Sequence, residues 1–333
     1  MSAPAPSMYS AAAKQMAEKL GLTLGRANLE EFADTLLALA RVDRNIVAVT
    51  SDSRGSGKLG PFGHALPKQI VEVGIAEQNL VGVAAGLASV GKTVFAVSPA
   101  CFLTARSFEQ IKNDVAYSDN AVTLVGISAG VSYGALGTTH HSLHDFAALR
   151  AVNNLTIVAP ADNYEAGEAV RAAAASKHPI YLRFGKSPLY VLPVAEAFQL
   201  GRARTIRGGG DLVFVATGET VIHALLAAAQ LEERDGLRCR VLSVPTIKPL
   251  DADAILRAAR ECRAVVTVEE HMVNGGLGEA CAAVIAQAGV ATRFKIVGIP
   301  DEYTVTGSQA DIFRHYGLSM EGLAGTARAL LRG

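Results

Sequence analysis

Short apolar runs, many of them rich in β-branched residues, alternate along this chain with segments whose apolar residues recur at helical spacing. The apolar runs predict buried strands at 46–50, 93–97, 122–127, 156–159, 180–184, 212–216, 240–244, 264–268 and 294–297. The segments between them predict helices at 29–41, 76–90, 108–116, 164–176, 220–233, 252–262 and 277–288. Almost continuous apolar strands that alternate with helices are typical of parallel sheets covered on both faces. The pattern therefore predicts an α/β protein with mainly parallel sheets.

This alternation breaks between Pro188 and Gly210, where prolines and polar residues lead into three consecutive glycines. Such a stretch is typical of a linker between domains. We therefore expect an N-terminal arm over residues 1–24, a first α/β domain over 25–190, a linker over 191–204 and a second α/β domain over 205–333. The arm is expected to be flexible and to continue into a short helix.

Composition excludes several classes of protein. Hydrophobic residues make up 50% of the chain, which is too many for a disordered protein. Lys and Arg total 31, as do Asp and Glu, and this balance argues against a binder of nucleic acid or of an anionic membrane. The four cysteines are far apart and indicate buried thiols in a reducing compartment. With no apolar run of membrane-spanning length and no secretory pattern at the start, a cytoplasmic protein is expected.

The segment VEVGIAEQNLVGVAAGLASVG at 71–91 carries the first candidate site. Glu77 follows a short strand and falls in the first turn of the next helix, at the sheet edge where α/β proteins bind ligands. Acids are also favoured in first turns by the helix dipole, so position alone does not assign Glu77 a chemical role. The small residues of this helix would allow it to pack closely against a neighbour.

Several motifs together resemble one enzyme family. GIAEQNLVGVAAGLA, RSFEQIKNDVAYSDNAVTLVG, GTTHHSLHDFAALRAVNNLTIVAPAD and YLRFGKSPLY resemble the pyrimidine-binding domain of the transketolase family of thiamine-diphosphate enzymes. VPTIKPLD and VEEHMVNGGLGEA resemble the C-terminal domain of the same family. The resemblance begins near residue 25 and follows the family's order of motifs. It implies two α/β domains and the transfer of a two-carbon ketol unit from a ketose to an aldose.

The resemblance also implies roles for the residues that would meet the cofactor. The carboxyl group of Glu77 would hydrogen-bond the aminopyrimidine of thiamine diphosphate and so promote loss of the thiazolium proton. Phe102 matches an aromatic residue that stacks on the pyrimidine. Pro99 stands where a second aromatic is expected, and Arg106 matches a recurrent basic residue. For Arg106, a surface or interface arginine is an equally good interpretation.

Other matches imply substrate contacts. His140 would help to transfer a proton or to recognise a hydroxyl, and this role is preferred to a metal site with His144. Arg183 matches an arginine that binds the substrate phosphate, with Ser56 as a second contact, and Lys186 could assist them. For Arg183, a strand-end ion pair is the alternative.

Two departures from the family's pattern bear on the substrate. Ser128 replaces a common histidine, and Leu136 replaces a common acid that reads a ketose hydroxyl. Both polar contacts to an ordinary sugar are therefore missing. The sugar is expected to differ from ordinary pentose phosphates, for example by branching or by loss of a hydroxyl.

The GDG motif with which this family holds Mg²⁺ and the diphosphate is missing, and no metal ligand is assigned to this chain. We therefore expect the C-terminal subunit of a split transketolase. Thiamine diphosphate and Mg²⁺ would be anchored mainly by an N-terminal partner subunit, in a heterotetramer with two copies of each chain. Three alternatives remain: the beta subunit of a 2-oxoacid or acetoin dehydrogenase, an enzyme like deoxyxylulose-phosphate synthase, and a non-catalytic scaffold.

Overall fold

Two main sheets and a small two-stranded sheet organise the computed structural model, which describes residues 7–332. The strands are β1 (Leu24–Ala27), β2 (Ile46–Thr50), β3 (Ile70–Glu72), β4 (Thr93–Pro99), β5 (Val122–Ile127), β6 (Thr156–Val158), β7 (Ile180–Phe184), β8 (Pro188–Tyr190), β9 (Arg204–Arg207), β10 (Leu212–Ala216), β11 (Cys239–Ser243), β12 (Thr246–Lys248), β13 (Ala264–Met272) and β14 (Arg293–Ile299). Within the described residues, no helix has the length and apolar character needed to cross a membrane.

The helices cover the faces of these sheets. They are α1 (Ala11–Lys19), α2 (Asn28–Val42), α3 (Gly60–Ala65), α4 (Glu77–Ser89), α5 (Ala100–Arg106), α6 (Phe108–Gln110), α7 (Asp145–Arg150), α8 (Asn163–Ala175), α9 (Thr220–Asp235), α10 (Ala252–Glu261), α11 (Leu277–Gln287), α12 (Gln309–His315) and α13 (Met320–Arg332). A π-helical segment, Ile111–Tyr117, continues from α6. The predicted fold class, α/β with mainly parallel sheets, is confirmed.

The first main sheet has seven strands in the order β12-β6-β7-β5-β4-β2-β3. All of its pairs are parallel except the pair of β12 with β6. The strand β12 lies beyond the predicted linker, so the chain returns from the second sheet to complete the first. This pairing joins the two halves of the molecule by backbone hydrogen bonds.

The second main sheet has five strands in the order β14-β13-β10-β11-β9, and only β9 is antiparallel. The helix α9 crosses its face and is buried along almost its whole length. The segment before β1 packs against this half, where Tyr9 stacks on His223 with ring centroids 5.3 Å apart. Met8 and Tyr9 are buried, so the arm is packed rather than flexible from residue 7 onward, because its apolar side chains join this core. Residues 1–6 of the predicted arm lie outside the described residues.

The motif EEHMVNGGLG forms a helix cap. Glu269 in β13 accepts hydrogen bonds from the backbone N–H groups of Leu277 and Gly278, at 2.7 and 2.8 Å, at the start of α11. Burial raises the pKa of Glu269 to about 7, and the two backbone N–H groups oppose this shift. A Cβ atom on Gly276 would lie 1.9 Å from Glu269 Oε2. The glycines of this motif therefore serve packing.

Gly276→Ala is expected to destabilise the chain by about 1–3 kcal/mol, because the added methyl group displaces the Glu269 carboxylate from the helix N-terminus. Urea unfolding of the two proteins measures this difference. Gly325→Ala is the matched control, since that glycine lies in α13 with no atom within 4 Å of the added Cβ. The control should be neutral or stabilising by about 1 kcal/mol. Equal stabilities of wild type and Gly276→Ala would contradict the steric argument.

Candidate active site

The predicted site residues of the first domain lie along one edge of the seven-stranded sheet. Pro99 ends β4, Ser128 follows β5, and Ser56 lies in the loop after β2. Glu77 begins α4, a short loop after β3. Because these strands are parallel, their carboxyl ends share one edge, and this is the edge at which α/β sheets bind ligands.

Glu77 is held in the wall of an open cavity. Its side chain is only 4% exposed, and both of its carboxylate oxygens accept a hydrogen bond from Arg106 Nη1 at 3.0 Å. The Arg106 side chain is half exposed, and its guanidinium carbon lies 4.3 Å from the centre of the Phe102 ring. A planar group that donates hydrogen bonds therefore lies on an aromatic face beside a buried carboxylate. The cavity, of about 600 Å³, is lined by Ile75, Ala76, Glu77, Gln78, Asn79 and Arg106.

His140 extends this cluster. Its ring meets those of Phe102 and Tyr133 edge-on, with centroids 5.4 and 5.5 Å apart. The Thr139 hydroxyl lies 2.9 Å from His140 Nδ1. The Lys186 ammonium group lies over the Tyr133 ring, 4.9 Å from its centre. Contacts thus run without a break from Glu77 through Phe102 and His140 to Lys186.

Tyr133 was not found by sequence reasoning. It lies in the segment ISAGVSYGALG, where no spacing or motif distinguishes it, and only the folded loop brings it against His140. Leu136 lies three residues further on and is 55% exposed. Within residues 7–332, no group of three or more His, Cys, Asp and Glu side chains is arranged to hold a metal ion. His144 instead contacts the Thr104 hydroxyl at 3.4 Å.

Arg183 does not face this cluster. It is buried, and its Nε donates to Asp145 Oδ2 at 2.8 Å while Nη2 donates to the backbone carbonyls of Ser142 and Glu270. Two carboxylates and a phenol surround it, and the neighbouring Asp145 and Glu270 charges hold the pKa of Arg183 high against the effect of burial. In the structure Arg183 forms the strand-end ion pair that was its alternative interpretation, and the phosphate contact stays a prediction.

Two lysines, Lys186 and Lys58, carry positive charge in the loops near Tyr133 and Ser56. Partial burial lowers the pKa of Lys186, and the nearby Lys58 ammonium lowers it further. Lys58 belongs to the loop of Ser56, whose half-buried hydroxyl contacts the backbone carbonyl of Ser53 at 3.4 Å. A Cβ on Gly57 of this loop would lie 3.3 Å from a methyl group of Val97, so the loop crosses the end of β4. In the structure Lys58 Nζ lies 3.1 Å from Glu30 Oε1, so its charge is paired with that carboxylate.

Ser128 and Pro99 occupy buried positions where the strands end. Ser128 has a φ of 53°, an uncommon conformation for a residue with a side chain, and such strain is concentrated at functional sites. Its buried hydroxyl lies beside the Tyr133 hydroxyl and opposes the rise that burial causes in the pKa of Tyr133. Pro99 immediately precedes α5, the helix that carries Phe102 and Arg106. Phe102 supplies an aromatic surface near Glu77, since its ring lies under the guanidinium group that binds the Glu77 carboxylate.

A pair of acids is buried between the two domains. Gln309 Nε2 donates hydrogen bonds to Glu219 Oε2 and Glu270 Oε1, both at 2.9 Å. Burial and, to a smaller extent, the charge of Glu270 together raise the pKa of Glu219 to about 8. The pKa of Glu270 is raised to about 7 by burial, with Arg183 opposing the shift. At neutral pH the pair therefore retains a proton.

The stability contributed by Glu219 should fall as pH rises. Between pH 4.5 and 8 the native state keeps a proton that the unfolded chain has lost, so unfolding is favoured by increasing pH, by at most about 1.4 kcal/mol per pH unit. Glu219→Gln removes this titration and keeps an acceptor for Gln309. The free energy of unfolding of Glu219→Gln minus that of wild type should therefore increase from pH 5 to pH 8. Glu109→Gln, an exposed acid, is the control, and parallel pH curves for Glu219→Gln and wild type would contradict the assignment.

Comparison with known proteins gives the family. Residues 26–190 match the family model for the transketolase pyrimidine binding domain, and residues 201–323 match that for the transketolase C-terminal domain. An apulose-4-phosphate transketolase subunit of Phocaeicola vulgatus is 48% identical over 300 residues, which are 90% of this chain and 95% of that protein. A 6-deoxy-6-sulfo-D-fructose transketolase subunit of Clostridium sp. is 36% identical over 281 residues, or 82% of this chain and 87% of that protein.

A solved structure described as a split gene transketolase, inactive β4 tetramer, has a TM-score of 0.82 and 34% identity. The match covers 92% of this chain and 99% of that chain. Fold and site thus define a pyrimidine-binding domain followed by a transketolase C-terminal domain. The chain belongs to the transketolase family, and in extent it corresponds to the separately encoded subunit of a split transketolase. The predicted resemblance is confirmed.

Proposed function

We propose that this chain is the pyrimidine-side subunit of a two-chain transketolase that moves a two-carbon ketol unit from an anionic ketose to an aldose. The observation that carries the proposal is the buried carboxylate of Glu77, at the ligand-binding edge of the sheet, beside an aromatic face and an open cavity. A non-catalytic scaffold has no need to keep a desolvated acid in this position.

The residues around Glu77 fit the aminopyrimidine of thiamine diphosphate. The only partner of the Glu77 carboxylate among residues 7–332 is the half-exposed Arg106, whose planar guanidinium lies on Phe102. An aminopyrimidine is likewise planar, and its ring nitrogen donates a hydrogen bond to a carboxylate when it is protonated, so it can make the same two kinds of contact. When bound, the cofactor supplies an electron sink for cleavage of the ketose carbon–carbon bond. Glu77 then holds the proton at the pyrimidine ring nitrogen. Arg106 either moves away from the Glu77 carboxylate or continues to donate a hydrogen bond to one of its oxygens.

His140 is the residue we assign to the substrate. Its Nδ1 faces the Thr139 hydroxyl, so Nε2 is the nitrogen available to exchange a proton with a substrate hydroxyl or carbonyl oxygen. Phe102 and Tyr133 pack edge-on against the ring and restrict its orientation. Histidine suits this task because it can accept and donate a proton near neutral pH.

The anionic end of the ketose is assigned to Lys186 and Lys58, with Ser56 on the same loop as Lys58. Lys186 can bind phosphate or sulfonate as a point charge, and Lys58 can do so by exchanging its present partner, Glu30, for the anion. The exposed Leu136 would meet the sugar, where a branched or deoxygenated carbon matches its apolar side chain better than the hydroxyl of a pentose phosphate. The two related subunits, named for apulose 4-phosphate and a sulfo-deoxy sugar, support such a donor.

The diphosphate and Mg²⁺ are assigned to a partner subunit that carries GDG and a downstream Asn. The described part of this chain offers no cluster of metal ligands, and the sequence has no GDG motif. The neighbouring solved structure is named as an inactive assembly of β chains alone, which supports a requirement for a second kind of chain. We propose a heterotetramer with two copies of each subunit.

Reconstitution tests this proposal. The chain alone, the co-encoded partner alone and their mixture are assayed with thiamine diphosphate and Mg²⁺ against apulose 4-phosphate, xylulose 5-phosphate and 6-deoxy-6-sulfofructose. Turnover is expected only in the mixture, with one of the two unusual donors preferred. Turnover by the isolated chain would contradict the split site, and a stable complex without turnover on any donor would contradict the proposed reaction.

A further inference from the structure

Two loops from different domains meet behind the His140 ring. The loop of the first domain runs over residues 130–144 and carries His140, and the loop of the second domain runs over residues 300–308 after β14. Thr304 is only 7% exposed and His141 only 3%, so the contact between the loops is buried. The mechanism proposed above uses neither side chain.

Hydrogen bonds at this contact form a chain in which the donor of each bond can be assigned. His141 Nε2 lies 3.0 Å from the backbone oxygen of Gly134, and Nδ1 lies 2.7 Å from Thr304 Oγ1. Burial lowers the pKa of His141, so the ring is neutral at physiological pH. A carbonyl oxygen only accepts, and Nε2 must therefore carry the proton while Nδ1 accepts one from the Thr304 hydroxyl.

The chain of hydrogen bonds continues to Thr138, two residues before His140. The Thr304 backbone N–H donates to Thr138 Oγ1 at 3.1 Å, and the two threonine hydroxyls lie 3.1 Å apart. Because the Thr304 hydroxyl proton is directed to His141, the Thr138 hydroxyl donates to Thr304 Oγ1. Thr304 thus holds the loop at Thr138 and at His141, the residues on either side of Thr139 and His140.

The two loops also approach each other closely at two glycines of the first loop. Gly134 and Gly137 turn the first loop with φ values of 50° and 72°. A Cβ on Gly134 would lie 2.7 Å from the Gly307 carbonyl oxygen, and one on Gly137 would lie 2.9 Å from a methyl carbon of Thr306. Both turns of the His140 loop therefore lie against the second domain, while a cavity of about 600 Å³ lined by Thr138, His141 and Thr304 opens beside them.

We propose that the second domain positions the His140 loop through Thr304, and that Thr304 and His141 are positioning residues for the ketol-transfer reaction. This inference rests on the proposed function, in which His140 acts on the substrate. Small displacements of a reacting group are costly, since a misplacement of about 1 Å can reduce a rate about 10²-fold. The second domain then contributes to catalysis without touching the substrate.

The test compares variants of this chain assembled with the partner subunit. Thr304→Val removes the hydroxyl with little change of volume, and Thr304→Ser retains it. Thr306→Val is the matched control, since Thr306 is exposed on the same loop and valine keeps the methyl contact with Gly137. We expect Thr304→Val to lower kcat about 10- to 100-fold with the donor KM changed less than about threefold. Thr304→Ser and Thr306→Val should retain wild-type kcat.

A second pair of variants covers the case in which Thr304→Val does not assemble. His141→Gln keeps one donor and one acceptor and should retain most of the activity, whereas His141→Leu removes both and should reproduce the loss. Wild-type kcat in Thr304→Val or in His141→Leu would overturn the proposal. So would an equal loss of activity in His141→Gln and His141→Leu, because that result would indicate shape rather than hydrogen bonding.

Hydrogen exchange of the assembled complex separates this proposal from the proposed function. Peptides that contain residues 134–142 should exchange faster in Thr304→Val than in wild type or Thr306→Val. Faster exchange together with no turnover by the wild type would contradict the ketol-transfer function while leaving the loop contact established. Unchanged exchange in Thr304→Val, together with normal wild-type turnover, would reject the positioning role alone.

Discussion

Replacing Glu77 with glutamine is expected to reduce ketol transfer by the assembled enzyme about 10²–10⁴-fold. A glutamine amide cannot take up a proton at neutral pH, so the proton exchange assigned to this position is lost. The fold should be unaffected, because the glutamine Oε1 still accepts a hydrogen bond from Arg106 and no buried charge is created. Turnover of the reconstituted enzyme and thermal unfolding of the subunit measure the two expectations.

Glu109→Gln is the control for this experiment. Glu109 is an exposed acid on the same domain, so its replacement should leave turnover unchanged. Wild-type turnover in Glu77→Gln would contradict the assigned role directly. A loss of turnover in Glu77→Gln together with a large decrease in the unfolding temperature of the subunit would instead assign the carboxylate to folding.

Arg183→Met is expected to destabilise the subunit by about 3–5 kcal/mol. The substitution leaves Asp145 buried without its cationic partner, and an uncompensated buried charge is one of the most costly changes in a protein. A phosphate-binding arginine would behave differently, since its loss would raise the donor KM without changing the free energy of unfolding. Urea unfolding of the isolated subunit therefore distinguishes the two interpretations of Arg183.

Two further variants complete this test. Asp145→Asn combined with Arg183→Met removes both charges and should recover part of the lost stability. Lys186→Met should leave the stability within about 0.5 kcal/mol of wild type, since this lysine is exposed, but should raise the KM for the anionic donor. Wild-type stability in Arg183→Met would restore the phosphate interpretation, and an unchanged KM in Lys186→Met would remove Lys186 from the anion site.

Local pattern predicted most of the regular elements. The strands β2, β5, β7 and β10 have the predicted limits because each is a buried apolar run that needs no particular partner to be recognised. The strand β12 was missed, since its three residues lie between two prolines and become a strand only by pairing with β6 across the domain boundary. The predicted helix over 108–116 is divided into a short α-helix and a π-helical segment, for which the sequence offers no signal.

The candidate site was predicted less completely than the fold. The resemblance led to Glu77, Phe102, Arg106 and His140, and the structure brings these side chains into one cluster. Tyr133 carried no signal at all, and Lys186 was predicted only to assist another residue. The resemblance assigned Arg183 to a phosphate, whereas its ion pair with Asp145, 38 residues away in the chain, is visible only in the fold.

The sequence by itself determined the fold class, the position of Glu77 at a strand-to-helix junction and the resemblance to transketolases. These depend on periodicity and on contiguous motifs, which can be read one segment at a time. Only the tertiary structure decided which groups meet: Arg183 with Asp145, Lys186 with Tyr133, and Thr304 with His141. Such contacts join residues that are far apart in the chain, and they depend on which elements pack together and on what that packing removes from water. Chemistry at this site follows from those long-range contacts.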